Sequence, residues 1–313
     1  MAGIVSLQLA VGTHQPLCRL DHNAAWANVD WTSNPIDPVA VKLLAEEMAS
    51  RKIRYLYPFT TYVKQTEFSA AYSHAAEFVH EFKKHNTSTK LIAWVGVPLK
   101  RAGPYGINGW TDLNDPGRRR FIMDFVKAKL IDEAGFDGVQ FNVETTFDQN
   151  TGLLIFLEEA RTALGPNAIL GVTGETWYAN SADIPVGDRS WSANYYHEVA
   201  LRVDQIAAMT YDSQMAEANA YRLWLRDQIV GISHSIAGTH AELLIGLSIS
   251  REASAGHHPD IENVENALMG ICMGVNALNV NDHPIGGAAM YASWEATNAD
   301  WVVWEQWLVG GQP

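Results

Sequence analysis

Strand-like and helix-like segments alternate along this chain from one end to the other, and no feature of the sequence constrains the fold more. Candidate strands fall at residues 24–29, 53–57, 91–97, 138–144, 169–173, 205–211, 243–248 and 288–291, with a helical pattern after each. A strand followed by a helix and another strand needs a crossover, so the strands run parallel. Eight such units predict a (β/α)8 TIM barrel, an α/β fold of a single domain. The open doubly wound alternative brings a glycine-rich phosphate turn after an early strand. Neither G-x-G-x-x-G nor G-x-x-x-x-G-K-[ST] occurs here. The boundaries read as an N-terminal extension over 1–22 and the barrel over 23–313.

The helices carry their own start and stop signals. Asp37-Pro38 and Asp115-Pro116 each offer an N-cap followed by proline at the first helical position. Gly135 and Gly165 stand where a left-handed residue ends a helix. The stretch LLIFLEEARTAL, residues 153–164, repeats apolar residues at three and four, as one buried helix face requires.

Within this frame the fourth strand is unusual. In GFDGVQFNVETT, residues 135–146, Val139, Phe141 and Val143 share one face, while Gly138, Gln140, Asn142 and Glu144 share the other. A solvent-facing strand reads this way, and so does a strand whose polar face lines a catalytic chamber. In a parallel barrel chemistry sits at the C-terminal strand ends. The apolar set is then expected to pack outward on the helices, with Glu144 last in line at the mouth.

Composition narrows the partners. The chain has 313 residues, 47% apolar and 18% charged, with a formal net charge of −13. Nothing in that balance would neutralise phosphates, so neither a nucleic-acid nor an anionic-membrane partner is expected. The basic run Arg118 to Arg120 reads as the solvated start of a helix. The opening MAGIVSLQLAVG has no charged lead and is too short to span a bilayer. As written the chain reads as soluble and cytoplasmic, or as secreted if its natural N-terminus has been trimmed. Cys18 and Cys272 read as buried or incidental thiols, since two cysteines make no disulfide framework. Eleven tryptophans exceed what a core usually needs, and flat indole faces suit sugar rings.

Three segments carry a family likeness. DGVQFNVE resembles the fourth-strand D-x-x-D-x-D-x-E of family 18 glycoside hydrolases, the chitinases and endo-β-N-acetylglucosaminidases. Asp137 and Glu144 match its ends, and Gln140 and Asn142 replace its two inner aspartates. AAMTYDS is similar to the family's sixth-strand Met-x-Tyr-Asp, and GAAMYASW to its eighth strand with a terminal tryptophan; LLIGLSI fits the seventh.

The resemblance implies cleavage of a β-linked N-acetylhexosaminide with retention, the substrate's own acetamido oxygen acting as nucleophile. By position, Glu144 would protonate the leaving oxygen and Asn142 would orient the acetamide. Tyr211 would hold its carbonyl, Asp212 would bind sugar hydroxyls, and Trp294 would floor the site. Asn142 carries no charge with which to offset an oxazolinium. The Asn-x-Glu pair nevertheless resembles that of family 85 endo-β-N-acetylglucosaminidases, so the departure does not by itself imply a dead enzyme. Gln140, Tyr57 and Trp94 are the further substrate-binding candidates.

Two other functions stay open on the same barrel. One is a two-carboxylate retaining glycosidase, with Asp212, Glu175 or Glu252 as a nucleophile about 5 Å from Glu144. The other is a carbohydrate-binding barrel without catalysis. The histidines of GHHPD, residues 256–260, lack a metal-ligand spacing and read as a surface loop, so no metal and no cofactor is expected. A serine triad lacks its G-x-S-x-G elbow.

Overall fold

The computed structural model describes residue 18 and residues 20–100, 109–254, 256–278 and 284–310. Most of the 1–22 extension lies outside the described residues. The eight strands are β1 (Asn23–Ala27), β2 (Ile53–Tyr62), β3 (Lys90–Pro98), β4 (Gly138–Glu144), β5 (Ile169–Gly174), β6 (Gln205–Met209), β7 (Glu242–Ser248) and β8 (Ile285–Tyr291). Each pairs in parallel with the next, and β1 pairs with β8 to close the barrel. The helices that follow the strands in turn are α1 (Pro38–Ser50), α2 (Ala75–His85), α3 (Pro116–Phe125), α4 (Thr151–Leu164), α5 (Ala193–Ala200), α6 (Ala218–Ile236), α7 (Val264–Ala277) and α8 (Asn298–Trp304).

The local signals act as the sequence suggests. Asp37 accepts the Val39 N–H at 2.9 Å ahead of Pro38, and Asp115 accepts the Gly117 N–H at 2.8 Å ahead of Pro116. Gly165 closes α4 at φ 74°, and Gly135 takes φ 78° beyond the end of the α3 segment. Asp137, the first residue of the β4 motif, is a strut at the opposite rim from the strand ends. It accepts the Leu91 N–H at 2.9 Å and pairs with Lys83 at 3.1 Å.

Two layers of side chains fill the molecule. Val139, Phe141 and Val143 belong to the outer core between sheet and helices, as period two requires. A second, smaller cluster inside the barrel holds Ala24, Trp26, Tyr55, Tyr57, Ile92, Ala207, Leu244 and Ala289. Polar side chains within that interior bond in part to each other, though Gln140 Nε2 has no partner among the described residues. Trp26 Nε1 donates to Gln140 Oε1 at 2.6 Å, and the Tyr57 hydroxyl donates to Gln205 Oε1 at 3.1 Å.

Two expectations fail here for physical reasons. Arg119 is buried rather than solvated, because its guanidinium clamps Glu159 through Nε and Nη2, both at 2.9 Å, and reaches the Leu113 carbonyl at 2.8 Å. Cys18 and Cys272 are not free thiols. They are joined as a disulfide with Cα atoms 5.5 Å apart, tying the chain ahead of β1 to α7. No helix among the described residues is long and apolar enough to cross a membrane.

Candidate active site

A cavity of about 630 Å³ opens among the C-terminal ends of the strands. Glu144 is the last residue of β4, Tyr211 and Asp212 follow β6, and all three line it together with Asn142 and Trp94. Residues far apart in sequence are thus gathered by the barrel onto one wall.

The β4 end is held by a short chain of hydrogen bonds. Thr173 of β5 donates its hydroxyl to Asn142 Oδ1 at 2.7 Å, and Asn142 Nδ2 donates to Glu144 Oε1 at 2.8 Å. The amide is oriented by these two partners. It keeps a second hydrogen on nitrogen and a second lone pair on oxygen for a ligand.

In the same lining Tyr211 stacks on Tyr291, with ring centroids 5.5 Å apart and planes 10° from parallel. Close packing here depends on Gly246 of β7, where a Cβ would meet the Ala208 carbonyl at 2.5 Å and the Tyr211 ring at 3.2 Å. Burial pushes the Tyr211 phenol well above its ordinary range, with the charges near Tyr291 and Glu144 acting in the same direction. It therefore stays a neutral O–H donor.

Asp212 is shaped by residues that sequence reasoning passed over. It sits at φ 56°, a left-handed conformation uncommon outside glycine. Fully buried Glu262 holds that turn by accepting the N–H groups of Asp212 at 2.7 Å and Ser213 at 2.9 Å. His257 lies between the two carboxylates, its Nδ1 3.0 Å from Glu262 and 3.4 Å from Asp212. The surface-loop reading of GHHPD is therefore wrong for His257, which is only 3% exposed. Asp212, His257 and Glu262 offer ligand atoms within 4.8 Å of one another. The oxygens of Glu262 are already taken by N–H and O–H donors, so the cluster is built as a hydrogen-bonded support for Asp212. Asp212 caps no helix, since α6 starts at Ala218 behind Glu217. Partial burial raises its carboxyl, opposed by His257.

Three of the expected substrate-binding residues lie elsewhere. Tyr57 does not end β2, which runs on to Tyr62; it is fully buried inside the barrel and bonded to Gln205. Gln140 is likewise sealed beneath the cavity against Trp26. Trp294 lies past the strand in a separate groove with Trp31 and Trp301, and it meets Tyr291 of the site edge to face at 5.6 Å. Tyr291, the last residue of β8, is the aromatic side chain that this strand gives to the cavity wall. Trp26 and Trp94 supply two more aromatic surfaces.

No protein-family model matches the sequence, and no curated protein does. Solved structures do match. The spore cortex-lytic enzyme SleL of Bacillus cereus aligns over 93% of this chain and 75% of its own at a TM-score of 0.64, with 10% identity. A class V chitinase from Pseudomonas fluorescens Pf-5 aligns over 92% of this chain and 99% of its own at 0.60, with 13% identity. The glycoside hydrolase domain of PgaB from Bordetella bronchiseptica aligns over 95% and 100% at 0.60, with 10% identity. The fold is shared with these enzymes. At such identities the likeness establishes the barrel itself.

The remaining charge in that cavity comes from the segment after β5. Glu175 follows the strand directly, and the chain then returns through Asp188 and Arg189 to a short parallel pairing of Trp177–Tyr178 with Trp191–Ser192. Glu175 is 5% exposed, with Arg189 Nε 3.7 Å from its Oε2. Burial pushes its carboxyl up to about 8 against the pull of Arg189, and Glu144 adds to the rise. The rival nucleophile Glu252 is exposed and stands outside the cavity wall.

Proposed function

We propose that this protein is a glycoside hydrolase of the chitinase kind, acting on a β-linked glycan that contains N-acetylhexosamine. The observation that carries the proposal is the joint presentation of Glu144, its Asn142 partner and the neutral Tyr211 phenol on one cavity wall. In the mechanism, the acetamido oxygen of the sugar attacks C1 while Glu144 gives its proton to the departing glycosidic oxygen. Asn142 and Tyr211 orient the acetamide. The Glu144 carboxylate then takes a proton from the water that opens the cyclic intermediate, and the anomeric configuration is retained. Tyr291, Trp26 and Trp94 offer the flat faces against which a sugar ring packs, and Asp212 is placed to bind hydroxyls.

Aryl glycosides with and without a 2-acetamido group test the proposal directly. Cleavage confined to the acetamido sugars supports it. Cleavage of plain hexosides supports two enzyme carboxylates, a second reading favoured by Asp212 sharing the cavity with Glu144. Glu175 is a poor nucleophile for that reading, since burial keeps it protonated near neutral pH. Binding without any turnover would make the protein a carbohydrate-binding barrel. The Cys18–Cys272 bridge supports an oxidising compartment for the chain.

A further inference from the structure

Glu175 has no part in the mechanism above, yet it forms the cavity wall together with Glu144, Thr173 and Tyr211. Its Oε1 is shut off from solvent and has no hydrogen-bond partner among the described residues. The nearest cation, Arg189, is 3.7 Å from Oε2, beyond ordinary hydrogen-bond length. A carboxylate presents about four lone-pair sites, and here they would go largely unanswered. Burying a charge on such terms is costly, so the group keeps its proton instead.

The surroundings agree. Burial is the main cause of the rise to about 8, Glu144 and Asp188 reinforce it, and Arg189 and the Thr146 N–H oppose it. The other titratable groups against Glu175 are phenols. Tyr196 donates its hydroxyl to the Glu175 main-chain carbonyl, and both Tyr196 and Tyr211 are held neutral by burial. A neutral Glu175 adds no like charge beside Glu144, both when Glu144 gives its proton and when it takes one back.

A neutral acid differs from a carboxylate in what it can hold, because it can donate. Trp94 Nε1 is another buried donor of the same wall with no partner among the described residues. With the Tyr211 O–H, that makes three neutral donor groups among the residues lining one cavity. An N-acetylated sugar carries an oxygen that only accepts, the acetamido carbonyl, as well as hydroxyl oxygens. We propose that Glu175 is a substrate-binding residue that works as an uncharged acid, donating a hydrogen bond to an acceptor oxygen of the sugar bound over Glu144. The proposal rests on the N-acetylhexosaminide reading of the same cavity.

The experiment is calorimetric titration of the protein with N,N′,N″-triacetylchitotriose between about pH 5.5 and pH 9.5, the range that spans ionisation of such a raised carboxyl. Wild type, Glu175→Gln and Glu175→Ala are compared, and hydrolysis of an aryl diacetylchitobioside is followed in parallel. Wild-type affinity should hold to about pH 8 and then fall by about 2–10-fold, the loss of one neutral hydrogen bond. Glu175→Gln keeps an N–H donor but cannot ionise. It should weaken binding by about 2–5-fold at pH 6, and the alkaline fall should vanish. Glu175→Ala should weaken binding about tenfold across the range; should it fail to fold, the Glu175→Gln profile decides. An alkaline fall that persists in Glu175→Gln overturns the proposal, as does an alanine variant that binds like wild type. Binding with the expected pattern but no hydrolysis would remove the proposed function and leave this inference standing. Hydrolysis with binding indifferent to position 175 would do the reverse, and a wild-type protein that never binds the trisaccharide overturns both.

Discussion

Replacing Glu175 by glutamine should change how stability depends on pH, and the size of the change can be worked out beforehand. The carboxyl is raised from an ordinary 4.5 to about 8, chiefly by burial. Above the lower value the unfolded chain releases this proton, while the folded protein retains it up to the higher one. Unfolding then releases a proton, so stability contributed by this group is fully present below pH 4.5 and is lost as pH rises to about 8. Each pH unit in that window is worth about 1.4 kcal/mol, and the whole window is on the order of 5 kcal/mol. Glutamine has no proton to lose. The stability of Glu175→Gln relative to wild type should therefore climb by that order between about pH 4 and pH 9, whatever constant offset the amide introduces. Equilibrium urea denaturation of both proteins across the range measures it, and other titrating groups cancel in the difference. A Glu144→Gln background should shorten the window from its alkaline end, because the Glu144 charge helps to raise Glu175. A relative stability that is level with pH would refute the reasoning, for it would mean that Glu175 ionises in the folded protein as readily as in water.

Glu144→Gln should lower turnover of sugar leaving groups by about 10²–10⁴-fold, with a smaller loss for a nitrophenol that departs unaided. Asn142→Ala should slow both substrates alike; equal losses for Glu144→Gln and none for Asn142→Ala would reverse those roles. Arg119→Ala strips Glu159 and the Leu113 carbonyl of a buried partner, and a loss of about 2–4 kcal/mol in unfolding free energy is expected by urea denaturation, discounted from a fully buried pair because Glu159 is half exposed. Peptide mapping without reductant should recover Cys18 and Cys272 as one linked peptide, and breaking that link should cost about 2–5 kcal/mol. Two alkylated thiols in the native protein would contradict the pairing.

What could be read along the chain was whatever depends on near neighbours. The period of two in β4 assigned Val139, Phe141 and Val143 to the helices, and proline and glycine marked helix ends that the structure keeps. Errors arose where a strand end was misjudged or where the partner lay far away. The sequence reading ends the second strand at Tyr57, but β2 continues for five more residues to Tyr62, and the tyrosine is buried in the barrel. Tyr291 and Trp294 lie three residues apart, and the family likeness drew attention to the indole. The period of β8 singles out Tyr291, which ends the strand on the same face as Ala289 of the inner cluster. The pairing of Cys18 with Cys272 spans 254 residues, and His257 meets Asp212 across 45, so no local pattern announces either.

The two substitutions in the β4 motif are the instructive case. Gln140 looked like a lost active-site acid. Its carboxamide oxygen instead takes the Trp26 indole N–H in a sealed interior, where a carboxylate would leave a charge without solvent or counter-ion. Asn142 lies one layer higher and is bonded on both sides, to Thr173 and to Glu144. Neither position can hold a proton that titrates. A buried carboxyl of this cavity comes instead from β5 as Glu175, which follows a strand end in the position where barrel chemistry collects. A motif confined to one strand registers two losses, whereas the cavity, built from several strands, keeps carboxyls beside Glu144 in Glu175, Asp188 and Asp212. The alkaline fall in sugar binding should therefore follow Glu175 on β5 rather than the inner residues of β4.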